Sequence, residues 1–157
     1  MEATEQKEAC MATAERRAEV TWDGNLVEGR GQIVKTGSGA LSDLPVTWAS
    51  RVERSDGRTS PEELIAAAHA ACYAMAFSHT LTQAGTPPDQ LNVTATCALE
   101  LGASGLKIVS MNLDVRGKVQ GLDQAGFEQA AQTAEQGCPV SNALRGGLTI
   151  SVNATLE

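Results

Sequence analysis

Aromatic side chains are almost missing from this chain: two Phe, two Trp and one Tyr stand among 157 residues. Core volume must therefore come from aliphatic side chains and alanine, and part of that core is left for a second copy of the chain to complete. No basic run or series of stacking aromatics is present either, and a formal charge of −7 repels a phosphate backbone, so nucleic acid is not expected as a partner. The opening MEATEQKEAC lacks a charged-then-apolar leader and reads as the start of a cytoplasmic protein. The longest apolar run, residues 64–77, is 14 residues, short of the roughly 20 that cross a bilayer, which argues against a membrane partner. Neither C-x-x-C nor H-x-x-x-H spacing occurs, so a tetrahedral metal site built from His69, Cys72, His79 and Cys138 has poor support. Internal repeats and low-complexity tracts are absent as well.

What is there fits one domain. The 42% hydrophobic and 20% charged content is that of an ordinary globular protein with a real core. Residues 1–17 read as a loosely held polar extension, containing a second methionine, Met11, and an incidental exposed thiol, Cys10. Residues 18–157 read as the domain.

Residues 59–85 organise the rest. Ser60 can cap a helix, Pro61 suits its first position, where no N–H is needed, and Glu63 completes an S-x-x-E capping box. Gly85 ends it and Pro87 prevents resumption. Between positions 64 and 77 only His69, Cys72 and Tyr73 carry polar groups, and seven alanines leave little bulk. A helix apolar all round is expected to be buried all round, with another helix close against its alanines.

Three strands are predicted ahead of it: AEVTW, a hairpin turn at Asp23-Gly24-Asn25 into residues 32–36, and a third extended segment over 46–52. Gly29 and Gly31 suggest a bulge or bend on the way. After the helix, Leu91, Val93, Ala95, Cys97, Leu99 and Leu101 alternate onto one face, which makes Cys97 an inert core thiol. A glycine-bounded hairpin leads to a long strand whose Val109, Met111, Leu113, Val115 and Val119 share a face. Helical spacing returns over 122–136 with Gly137 as its stop, and Cys138-Pro139 opens a further short helix with Cys138 at the cap. Leu148 to Leu156 alternate as a last strand. The order βββ-α-ββ-α(α)-β makes an α+β fold with mostly antiparallel pairing.

Four cysteines without a dense short-loop framework are better explained as thiols in a reducing compartment than as structural disulfides. Cys72, mid-helix among apolar groups, would be silenced by burial unless a charge came to its aid. Cys138, at a helix start, has N–H groups that favour a thiolate. From spacing alone either is the candidate nucleophile.

SPEELIAAAHAACYAMA followed much later by GCPVSNAL resembles the OsmC/Ohr family of thiol-dependent hydroperoxide reductases, and within it the OsmC branch, from about residue 18 to the end. The resemblance implies an intertwined homodimer around central helices, with Cys72 as attacking and Cys138 as resolving cysteine. It implies an Arg–Glu pair that stabilises the thiolate, with Glu62 matching the glutamate. Arg51, in the strand expected before the helix, best matches the arginine, while Arg30, Arg54 and Arg58 lie within reach of the same region. Ten helical residues, ~15 Å, separate Glu62 from Cys72, so a shared site needs two copies packed antiparallel. His69 and His79 read as structural, His69 as a hydrogen-bonded core histidine. Two cysteines suffice for the chemistry without metal or organic cofactor, provided an external dithiol, lipoyl-type in the family, resets them. An apolar wall of alanines, Met75 and Phe77 suggests an organic hydroperoxide in preference to hydrogen peroxide. The alternative is a non-enzymatic redox-sensing or metal-binding protein using the same cysteines; such a sensor stops after one equivalent of peroxide.

Overall fold

The computed structural model describes residues 13–157, so Cys10, Met11 and most of the expected N-terminal extension lie outside the described residues. The chain divides into two compact units, Met1–Thr59 and Ser60–Glu157.

The first unit is a three-stranded antiparallel meander of β1 (Ala18–Asp23), β2 (Arg30–Thr36) and β3 (Ser42–Val46), followed by a short helix α1 (Trp48–Val52). Its irregularity lies between Glu19 and Val20, not at the glycines. Gly31 is regular strand, paired with Trp22, and an added Cβ there would stand 2.5 Å from the Trp22 ring. The extended segment expected over 46–52 is corrected: the strand stops at Val46 and the chain turns helical. Thr47 causes this. Its hydroxyl accepts from the Ser50 N–H and the Ser50 hydroxyl accepts from the Thr47 N–H, both at 3.0 Å, so two otherwise orphaned donors favour a helix start over a strand.

The second unit holds α2 (Pro61–Gln83), β4 (Pro88–Gly102), β5 (Gly105–Val119), α3 (Gln124–Gly137), α4 (Pro139–Leu144) and β6 (Thr149–Leu156). Sheet order is β4-β5-β6; β4 and β5 form an antiparallel hairpin, while β6 returns parallel to β5, from Ser110 opposite Thr149 to Gly117 opposite Leu156. Met111, Leu113, Val115 and Val119 point into the core from β5, as alternation predicts. A register shift between Ala98 and Leu99 ends the alternation of β4, which leaves Leu101 79% exposed instead of on the core face. Three of the five aromatics gather here: Phe77 lies between Tyr73, at 5.7 Å, and Phe127, at 4.9 Å. The Phe127 ring seats on Gly117, where a Cβ would collide with it.

Helix α2 starts as expected, with the Ser60 hydroxyl accepting from the Glu63 N–H and Pro61 in the first turn. Its burial is not all round. His69, Tyr73, Phe77 and Leu81, four residues apart, are fully enclosed, whereas Ala67, Ala68, Ala71 and Met75 are exposed within the chain. At 23 residues α2 is long and apolar enough to cross a membrane by length and composition alone, which the 14-residue run did not foretell. Its enclosed face is occupied by the chain's own core and polar partners.

Candidate active site

Helix α2 lies against the α3–α4 corner and meets it in reverse order. Going up α2, His69 faces Ser141 on α4, Cys72 faces Cys138 at the corner, and Tyr73 reaches Ala131 on α3. Proline at the first position of α4 fixes the corner, and Cys138, in extended conformation at its N-cap, makes no side-chain capping bond. Its thiol is thereby directed at α2.

The Cys138 thiol donates toward the Cys72 sulfur at an Sγ–Sγ separation of 3.5 Å, and both are free thiols. A bonded pair stands near 2.05 Å, so closure needs a movement of only about 1.5 Å. Cys138 is fully buried, whereas Cys72 is half-buried and so the more accessible of the two. Burial pushes the Cys72 thiol up from its ordinary value, a backbone hydrogen bond from Val140 pulls it down, and the Cys138 side chain pushes it up again. The amide at the start of α4, expected to favour a thiolate at Cys138, thus serves Cys72.

Around the thiols the polar side chains are paired, apart from the buried His69 Nδ1, which has no hydrogen-bond partner. His69 Nε2 and Ser141 Oγ are hydrogen-bonded at 2.7 Å with both residues fully enclosed; burial pushes the imidazole pKa down and the charge of Glu135 opposes it. The Tyr73 hydroxyl donates to the Ala131 carbonyl at 2.9 Å, and burial, then Glu135 and Cys138, push the phenol well up. Glu135, 5% exposed, accepts from Arg145 Nη2 at 2.8 Å, which ties the end of α3 to the end of α4 across Cys138.

Of the four residues expected to form a site, Cys72 and Cys138 are adjacent. Glu62 is buried in the first turn of α2, ten residues before Cys72, and its charge, after burial, pushes up the thiol of Cys97, which is half-buried on β4. Arg51 is half-buried on α1, so its expected strand position is corrected to a helical one. Arg54 is exposed, 4.0 Å from Asp56, and Arg30 and Arg58 line a cleft of about 720 Å³ in the first unit. His69 is the expected hydrogen-bonded core histidine; His79 is exposed. Phe77, expected in an apolar wall near the substrate, is a core residue without exposure, because the face of α2 that carries it is the enclosed one. Among the described residues no three His, Cys, Asp or Glu side chains are grouped to hold a metal ion.

Sequence reasoning missed Ser141, Glu135 and Arg145. One signal was available: His69 precedes Cys72 by three residues and Ser141 follows Cys138 by three, so two short polar pairs at helical spacing could face each other.

Residues 54–153 match the family described as OsmC-like protein. The chain is 38% identical over 138 residues to peroxiredoxin OsmC of Escherichia coli K12, covering 88% of this chain and 95% of that protein. It is 33% identical over 103 residues to organic hydroperoxide resistance protein-like 1 of Staphylococcus epidermidis, covering 64% of this chain and 73% of that one. Its fold is similar to that of a crystal structure of an organic hydroperoxide resistance protein OsmC from Legionella pneumophila, with a TM-score of 0.68 at 24% identity over 92% of this chain and 99% of the other. A family match over more than half of the chain, together with the Escherichia coli relative, makes this chain a member of the OsmC/Ohr family.

Proposed function

We propose that this protein is a peroxidase that reduces organic hydroperoxides to alcohols, with Cys72 as the attacking and Cys138 as the resolving cysteine. The observation that carries the reading is the 3.5 Å approach of the two sulfurs. The roles follow from access: a peroxide cannot reach the enclosed Cys138, while Cys72 is half-buried and has the Val140 amide beside it. The Cys72 thiolate attacks the terminal peroxide oxygen, the O–O bond breaks, the alkoxide takes up a proton, and Cys72 becomes a sulfenic acid. Cys138 then attacks that sulfur, the S–O bond breaks, and hydroxide leaves with the Cys138 proton as water. An external dithiol, of the lipoyl type, returns both thiols by exchange. The names of the relatives, peroxiredoxin and organic hydroperoxide resistance protein, support the same activity.

Burial works against a Cys72 thiolate, so the reading requires a cation, and a guanidinium supplies one that keeps its proton. Arg51 is the proposed cation and Glu62 the carboxylate that steadies it, as the resemblance implies. Since ~15 Å of helix separates Glu62 from Cys72, the proposed site uses Glu62 of the partner subunit in a homodimer whose α2 helices run antiparallel. The exposed apolar stripe of Ala67, Ala68, Ala71 and Met75 supports that assembly. The protein is proposed to work in the cytoplasm, where thiols stay reduced.

The test is to count free thiols after one equivalent of tert-butyl hydroperoxide, and then to follow peroxide with a dithiol supplied. Without the dithiol the wild type loses two thiols to a disulfide and Cys138→Ser loses one to a sulfenic acid; with it the wild type turns over repeatedly. Wild-type consumption by Cys72→Ser overturns the assignment.

A further inference from the structure

The two sulfurs are one rung of a two-rung contact. Three residues before Cys72 on α2 stands His69, and three residues after Cys138 on α4 stands Ser141; these two are joined at 2.7 Å. Both are fully enclosed, so the hydrogen bond has no water to replace it. Sliding α4 along α2 would leave a hydroxyl and an imidazole nitrogen without partners in the interior, which buried polar groups resist. The far end of the corner is braced as well, by Arg145 Nη2 on Glu135 Oε1 at 2.8 Å. Peroxide attack on Cys72 draws on the register of α4 through the Val140 amide alone, whereas disulfide closure depends on where the Cys138 sulfur itself sits when Cys72 carries its oxygen.

We infer that His69 and Ser141 are positioning residues for the resolving step: their buried hydrogen bond holds α4 in the register that sets Cys138 over Cys72. The inference rests on the peroxidase reading above. The rung acts chiefly on the step in which Cys138 sulfur bonds to Cys72 sulfur, the S–O bond of the sulfenic acid breaks, and water leaves. Loss of the rung lets the corner sample registers in which the sulfurs are apart, and effective concentration within a pair falls steeply with such misplacement.

The experiment measures two rates in the full-length protein, peroxide consumption in the first turnover with tert-butyl hydroperoxide, and sulfenate lifetime by quenching into a 1,3-diketone trap read by mass spectrometry. Ser141→Ala is expected to lengthen the sulfenate lifetime about tenfold or more relative to its effect on the peroxide step. His69→Asn is expected to do the same, the double variant to add nothing further, and Ser141→Thr, which keeps the hydroxyl, to restore closure. An unchanged lifetime in folded Ser141→Ala, equal slowing of both steps, or effects that multiply in the double variant overturns the inference. If Ser141→Ala melts below the assay temperature, His69→Asn is read by the same criteria. Cys72→Ser separates the layers: wild-type consumption by that variant defeats the peroxidase reading itself, whereas its inactivity leaves that reading standing whatever Ser141 shows.

Discussion

The two faces of α2 belong to one largely apolar helix and meet opposite fates. One carries His69, Tyr73, Phe77 and Leu81, all without exposure; the other carries Ala67, Ala68, Ala71 and Met75, the last 68% exposed. Bulk decides which face the chain's own core takes, because rings and leucine fill the space over β5 and α3 while alanines cannot. The alanine face is flat and needs a flat neighbour. Apolar character all round therefore states that a helix will be covered, and side-chain size states by which partner.

The comparison breaks most visibly at Phe77. Truncation to alanine removes a ring packed between Tyr73 and Phe127 and is expected to cost about 3–5 kcal/mol in a denaturant titration. Met75→Ala, two residues away on the open face, should fall within about 0.5 kcal/mol for the isolated subunit. Similar losses at the two positions would mean the faces are not different.

Oxidation sharpens the enclosed side next. A Cys72–Cys138 cross-link joins positions 66 residues apart, and such a loop stabilises by about 4 kcal/mol when the native geometry admits the bond without strain. One equivalent of organic hydroperoxide should therefore raise the unfolding midpoint of the wild type and leave that of Cys138→Ser unchanged. A falling wild-type midpoint would show that the corner deforms on closure.

For the open side the informative change is Ala71→Glu. If a second copy covers the alanine stripe, a charge there should weaken the dimer at least a hundredfold, about 2.7 kcal/mol, read by sedimentation as a shift to monomer. Subunit stability should barely move. An unaltered sedimentation profile would assign the stripe to some other neighbour.

Much of this was legible in the sequence, and each failure has its own physical cause. Ser60, Pro61 and Gly85 announced α2, and Cys138-Pro139 announced α4, since caps and prolines act through their own backbone. Thr47 and Ser50 act the same way, yet Val46, Trp48 and Val52 favour extended chain and mask the reciprocal cap. Leu101 misled because a bulge between Ala98 and Leu99 breaks a period of two that the residues themselves continue. The cysteine pair was legible through a family resemblance, whereas Ser141, Glu135 and Arg145 were not, for their meaning depends on which helix lies opposite. No local pattern carries that.

The smallest expected effect lies in the pH dependence of the enclosed face. Burial holds the His69 pKa below its ordinary 6.5, with Glu135 only partly opposing. In the unfolded chain the ring takes up a proton as pH falls through about 6.5, while the folded protein still refuses it. The unfolded state then binds more protons, so stability must fall with falling pH, each unit of depression being worth about 1.4 kcal/mol. Above about pH 7 the ring is neutral in both states and contributes no slope. Unfolding midpoints should be flat from pH 8 to 7 and decline toward pH 5. His69→Asn should remove part of that decline. An unaltered slope in His69→Asn would mean the ring accepts its proton in place, and the polar rung on the enclosed face would then tolerate a charge that its burial argues against.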